Sequence, residues 1–221
     1  MNSDVSDDLI SHKELGCTGS GLRVPAAGGR IKQWLNRALA LFEYCVVCVM
    51  GLSFGISSVV RYLRNPNPRV TVRLLRKFGA TIGNDTTLKG SVFIDNATGD
   101  ENATDDLSHL KIGNNCYLGD GIFFDLASGI VIGDNAVIAG RVSFITHAEC
   151  KRSPYLSQKF PRSCGPVTVG DGAWVGFGAT LLHGTAVGEN AAVGAHSLLR
   201  GDAEPQHLYV GNPARKLRRI E

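Results

Sequence analysis

Aromatic residues are scarce, 7% of a 221-residue chain, and net charge is slight, +3 at pH 7. So small an excess of cations does not by itself point to nucleic acid. The six cysteines (17, 45, 48, 116, 150 and 164) lack zinc-ligand spacing and have no companion His cluster, so no metal is expected and no oxidising compartment is required. Cys45 and Cys48 form a C-x-x-C within apolar sequence, where packing accounts for them. The N-terminus carries Asp4, Asp7 and Asp8 and no early apolar core, which argues against a secretory signal. What the chain does have is glycine, 27 residues, beside 43% hydrophobic content. That balance suits a turn-rich β protein with a substantial core.

Three stretches differ in character. Residues 1–30 are rich in Ser, Asp and Gly without a hydrophobic period and read as a flexible arm. Residues 31–78 read as a helical segment, membrane association being one reading of it, with 17 uncharged residues from Tyr44 to Val60 and a longer apolar run from Ala38 interrupted only by Glu43. A spanning helix needs about 20 apolar residues, so the run is borderline. Gly51 and Gly55 make a G-x-x-x-G, which in lipid lets two helices approach. Three readings stay open: a helix in or on a membrane, a helix buried against the main domain, and a helix packed on a partner subunit. Pro66 and Pro68 are expected to break any helix there. Arg61, Arg64, Arg69, Arg73, Arg76 and Lys77 form a cationic cluster without an acid, suited to lipid phosphate, a cofactor phosphate or a nucleotide.

From residue 79 onward a period of six takes over. Val169, Val175, Leu181, Val187, Val193 and Leu199 are evenly spaced, with Gly following at 170, 176, 188 and 194. Ile82, Leu88 and Ile94 keep the same beat, as do Ile112, Leu118 and Phe124, and Ile132, Ile138 and Phe144. Two extra residues separate the last two runs, and a polar stretch, 95–106, separates the first two. Helices repeat at 3.6 and half-buried strands at two, so neither explains the pattern. A six-residue period reads as short strands alternating with bends, three hexapeptides closing a triangular coil and about six coils stacking over an aliphatic column. Glycine beside each bulky residue is expected to permit the bend.

The segments IVIGDNAVIAGRVSFITH (130–147), VTVGDGAWVGFGATLLHGTAVGENAAVGAHSLL (167–199) and YVGNPARKLRRI (209–220) resemble the hexapeptide-repeat acyltransferases, within them the maltose, galactoside and serine O-acetyltransferase-like group. The resemblance implies a mainly β fold, a left-handed parallel β-helix over 79–221 with an N-terminal helical segment and a protruding loop, 148–166. It implies acetyl-CoA as co-substrate, no metal, and His147 as general base. It also implies Asp125 and Trp174 at the acceptor, and Phe177, Gly178, Ala195, Arg200, Arg215 and Arg218 along the coenzyme. An acceptor hydroxyl is too weakly acidic to attack a thioester unaided, and an imidazole can take its proton as the new bond forms. His183 and His196 read as turn residues. Their spacing with His147 does not match the three-histidine zinc set of the γ-class carbonic anhydrases.

By the same resemblance the chain is expected to form a homotrimer with sites between copies and to acetylate a saccharide or sugar-derived hydroxyl, with no nucleic-acid partner. Its active site is expected in the cytoplasm, where acetyl-CoA is supplied, and residues 31–77 suggest the inner face of a membrane. Two other classes remain: a non-catalytic β-helix scaffold of a polysaccharide-modifying complex, and an N-acetyltransferase of an amino-sugar nucleotide.

Overall fold

A computed structural model describes residues 27–221; the arm expected over 1–30 therefore lies mostly outside the described residues. Residues 37–221 make one compact unit, and residues 27–36 belong to the other. Helix α1 (Ala27–Phe54) ends where Gly55 takes φ 77°, and α2 (Ile56–Tyr62) starts directly after it. The apolar run of the sequence is thus divided between two helices. A third helix, α3 (Pro68–Lys77), corrects the expectation that Pro68 forbids one. Proline is tolerated in the first helical turn, where its missing N–H costs nothing. Asn67 caps the helix, its side-chain oxygen accepting the Arg69 N–H at 3.1 Å. Val70, Thr71, Leu74 and Leu75 form its buried face.

The β domain then winds as a prism. Its first coil comprises β1 (Thr81–Ile82), β2 (Thr87–Leu88) and β3 (Val92–Asp95). The second comprises β4 (Leu110–Ile112), β5 (Tyr117–Leu118) and β6 (Ile122–Asp125), and the third β7 (Ile130–Ile132), β8 (Val137–Ile138) and β9 (Ser143–Phe144). An excursion follows: β10 (His147–Ala148), α4 (Pro154–Lys159) and β11 (Ser163–Cys164). The fourth coil is β12 (Val167–Val169), β13 (Trp174–Val175) and β14 (Thr180–Leu181), and the fifth β15 (Ala186–Val187), β16 (Ala192–Val193) and β17 (Leu198–Leu199). Strands β18 (His207–Gly211) and β19 (Ala214–Arg219) end the chain.

Corresponding strands pair in parallel, giving three faces: β1-β4-β7-β12-β15, β2-β5-β8-β13-β16-β18, and β3-β6-β9-β14-β17. Each bulky apolar beat residue stays in register, as in Ile112↔Ile132 and Phe144↔Leu181↔Leu199, and every one of them is buried. The fold is a left-handed parallel β-helix. Five coils are complete. A sixth is partial, with Ala203 bridging Val187 on the first face and β18 continuing the second. Strand β19 then returns antiparallel along β18. At the opposite end α3 packs on β1 and β2, and the Arg76 side chain donates to the carbonyls of Ile82 and Gly83.

The glycines of the beat work differently from the expectation. A Cβ on Gly176 would sit 2.6 Å from the Ala195 nitrogen of the next coil, so glycine here lets coils approach. The bends come two residues later, where Asn115, Asn135 and Asn190 adopt φ of 53–59°. Asparagine tolerates this left-handed region better than other side chains carrying a β-carbon.

Candidate active site

His147 leaves the prism at the corner between the third and first faces, where β9 would otherwise lead into β12. Its Nδ1 lies 2.6 Å from Asp125 Oδ2, and its side chain is 21% exposed. Asp125 ends β6, one coil earlier, and is 2% exposed. Its Oδ2 also accepts the backbone N–H of Thr146 (2.8 Å) and of His147 (3.1 Å). Its Oδ1 accepts Asn96 Nδ2 at 2.7 Å and the Ala127 N–H at 3.2 Å. The Thr146 hydroxyl completes the cage by donating to the Asp125 carbonyl at 2.8 Å. Burial alone would push the Asp125 carboxyl up, but the bonds from Asn96, His147, Thr146 and Ala127 outweigh it and hold the group below its usual range.

An ionised, acceptor-only carboxylate at Nδ1 fixes the imidazole as the Nδ1–H tautomer and leaves the Nε2 lone pair free. Asp125, expected at the acceptor, is buried behind His147, and its oxygens are engaged within the protein. Asn96 and Thr146 went unnoticed in the sequence. Asn96 is 29 residues from its partner, and only the parallel register of β3 and β6 brings it there.

The loop 148–166 is tied at its base by antiparallel pairing of β10 with β11, His147 opposite Cys164. Its outer part is held by Arg162, which bonds Asp100 Oδ1 at 2.7 Å and Glu149 Oε2 at 3.1 Å. The Arg162 and Asp100 side chains are 19% and 6% exposed. Burial pushes the Asp100 carboxyl up, yet the Asn102 N–H and the Arg162 guanidinium bring it below the ordinary value. Ala148, Leu156, Phe160 and Ser163 help line a cavity of about 450 Å³ on this loop, directly after His147. One coil on, His183 Nε2 lies 3.0 Å from Ser163 Oγ while its buried Nδ1 has no partner among the described residues. His183 therefore belongs to the neighbourhood of the loop rather than to an isolated turn.

Most of the other expected residues lie elsewhere. Phe177, Gly178 and Ala195 stack on the corner between the second and third faces, where His196 meets the Phe177 ring edge-on at 5.6 Å. The Gly178 N–H donates to Gly140 at 3.0 Å and the Phe177 carbonyl accepts from His196 at 2.8 Å, so these backbone groups serve the column itself. Trp174 projects from the second face, 55% exposed, in register with Val137 and Ala192. Arg215 and Arg218 lie on β19, exposed. Arg200 alone shares the His147 corner, two coils further along, about 10 Å at the usual inter-strand spacing. Within one chain, then, His147 and Asp125 meet, and Trp174, Phe177, Gly178 and Ala195 do not reach them.

Two family models match these coils: "Hexapeptide repeat of succinyl-transferase" over residues 109–142, and "Bacterial transferase hexapeptide (six repeats)" over residues 166–201. His147 lies between them. A Staphylococcus aureus protein named as an acetyltransferase is 31% identical over 113 residues, 51% of this chain and 56% of its own length. The chain spans about a third to a half of the length of the curated relatives it matches. Among solved structures, a galactoside acetyltransferase in complex with coenzyme A superimposes with a TM-score of 0.63 at 22% identity, covering 75% of this chain and 78% of the other. A maltose O-acetyltransferase from Clostridium difficile 630 gives a TM-score of 0.63 at 24% identity, covering 75% and 84%. These structures share the fold. The six-residue beat, the three faces in register and both repeat models on the same coils show that the chain carries the hexapeptide repeats of the acyltransferase superfamily it resembles.

Proposed function

We propose that this protein transfers the acetyl group of acetyl-CoA to a hydroxyl of a saccharide or sugar-derived acceptor, with His147 as general base. The observation that carries the reading is the 2.6 Å contact between His147 Nδ1 and a buried carboxylate. It leaves Nε2 as the free basic atom, at the mouth of a loop with its own cavity. In the reaction the acceptor hydroxyl gives its proton to Nε2 as its oxygen bonds the thioester carbon. The carbon–sulfur bond then breaks, and the imidazolium returns the proton to the leaving thiolate. Asp125 stays ionised and stabilises the imidazolium. Proton transfer of this kind contributes about 10²–10⁴-fold, and alignment of the two substrates contributes more.

We assign the coenzyme by the chemistry of three arginines. Arg200, Arg215 and Arg218 pair with no acid among the described residues, and guanidinium suits phosphate through paired hydrogen bonds. A trimer, as the resemblance implies, would bring the Trp174 face of one copy against the His147 corner of the next. We place the reaction in the cytoplasm, where acetyl-CoA is made. The test is thiol release from acetyl-CoA with a panel of sugars and nucleotide sugars, run beside His147→Ala. Turnover with a sugar, lost in the variant, is expected. Equal turnover in the variant would remove His147 as base, and no turnover with any acceptor would favour a scaffold.

A further inference from the structure

Helix α1 is docked by one stripe only. Ala40, Val47 and Gly51 are buried, and Tyr44 and Cys48 partly so, at the helical spacing of one face. A Cβ on Gly51 would overlap the Phe78 ring, and Gly55 forms the break before α2, so G-x-x-x-G serves contacts within this chain rather than a second helix. Glu43 turns to the same side, accepting from the Tyr62 hydroxyl at 2.6 Å and from Asn67 Nδ2 at 2.8 Å. The other side is apolar and, among the described residues, bare. Leu39, Phe42 and Val49 are 62%, 68% and 62% exposed, with Val46 between them on the same stripe, and Leu41, Leu52 and Phe54 widen it. An uncharged apolar strip of this length is not left to water without a partner.

We infer that α1 lies in the plane of an anionic lipid surface, its Leu39–Phe42–Val46–Val49 stripe in the acyl region and Arg61, Arg64 and Arg69 at the headgroups. Two observations choose this occupant. Arg61, Arg64 and Arg69 are exposed and form no ion pair among the described residues, in a segment, 61–77, without a single acid. The same segment of a second copy offers no acid to pair these cations, whereas anionic headgroups neutralise them, each cation near the surface contributing about 1 kcal/mol. The helix has the length and composition of a membrane span, but its docking forbids one. The Arg73 guanidinium sits 4.3 Å over the Tyr44 ring, midway along α1, and Asn67 holds Glu43. A transmembrane α1 would drag both into hydrocarbon. An in-plane helix leaves them at the interface, as for other one-sided membrane helices.

The experiment is flotation of the full chain, without detergent, with vesicles of phosphatidylcholine alone or with about 30% phosphatidylglycerol. The protein is expected to float with the anionic vesicles, to be displaced largely by about 0.5 M salt, and to be released by alkaline carbonate. Leu39→Gln/Phe42→Gln/Val49→Gln should lower the bound fraction at least about tenfold with unchanged circular dichroism and assembly mass. Arg61→Gln/Arg64→Gln/Arg69→Gln, which leaves the apolar stripe intact, should abolish the preference for anionic vesicles. Absence of wild-type flotation, indifference to either variant, or a loss of assembly mass in the first would overturn the inference, the last by making the stripe a contact between copies. Retention after carbonate would make α1 a spanning segment.

Discussion

A single carboxylate oxygen of Asp125 grips both the ring and the main chain of His147, Nδ1 at 2.6 Å and the backbone N–H at 3.1 Å. One buried anion thus sets the tautomer, the ring orientation and the position of the strand that carries it. Asp125→Asn keeps the shape and removes the charge, and an amide at this place favours the wrong tautomer. Turnover is expected to fall by roughly 10²–10⁴-fold with the KM for acetyl-CoA little changed. Steady-state kinetics beside far-UV circular dichroism checks it; a fall in helical and strand signal matching the fall in rate would make the role structural only.

Acidification should weaken the fold through the same group. Asp125 and Asp100 both hold their carboxyls below the ordinary value, burial opposing and hydrogen bonds from Asn96, His147, Asn102 and Arg162 prevailing. A depressed value means that the folded state binds protons less readily than the unfolded one. The resulting stability is present in full above the unfolded value, about 4, and is lost as pH falls through the folded values. Denaturant titrations between neutral pH and pH of about 3 should show this decline. It should be shallower in Asp125→Asn, which cannot titrate.

How much of this could be read from the chain itself depends on how far apart the partners lie. The beat from Val169 to Leu199 carries its own register, so the column and its three faces follow from spacing. Asp125 and His147 were both visible, yet their mutual role was not, because nothing in a linear pattern says which corner a residue occupies. Asn96 and the Arg162–Asp100 pair, 62 residues apart, appear only when coils stack. Helix α3 is a different lesson. Asn67-Pro68 followed by Val70, Leu74 and Leu75 is a capped start with a helical apolar period, and the two prolines drew attention away from it.

Arg162 and Asp100 test how the loop 148–166 is held. Both side chains are largely buried, and a charged hydrogen bond of this kind is worth about 1.5–3 kcal/mol. A double-mutant cycle on Arg162→Ala and Asp100→Ala should return a coupling in that range. Limited proteolysis within 149–162 should quicken in either single variant.

The column makes a sharper demand. Phe124 and Phe144 stack at 5.2 Å between centroids and are both fully buried. Phe144→Ala should cost about 3–5 kcal/mol, because rigid coils above and below cannot collapse into the void. Gly176→Ala, which adds one methyl where the next coil leaves no room, should cost about 1–3 kcal/mol. Equilibrium unfolding measures both; a cost under half a kilocalorie for Gly176→Ala would show that the coils can separate locally.

The two ends of the prism carry one more consequence. A stack of parallel coils has open edges where another strand could add, and nothing in the repeat itself limits its growth. Here the first coil lies under α3, whose Arg76 occupies carbonyls of Ile82 and Gly83, and the second face ends in a strand running the opposite way. A neighbouring molecule therefore finds no matching parallel template on that face, and topology opposes end-to-end stacking there. Removing β19 would return this molecule to the open-ended state from which cross-β aggregates grow.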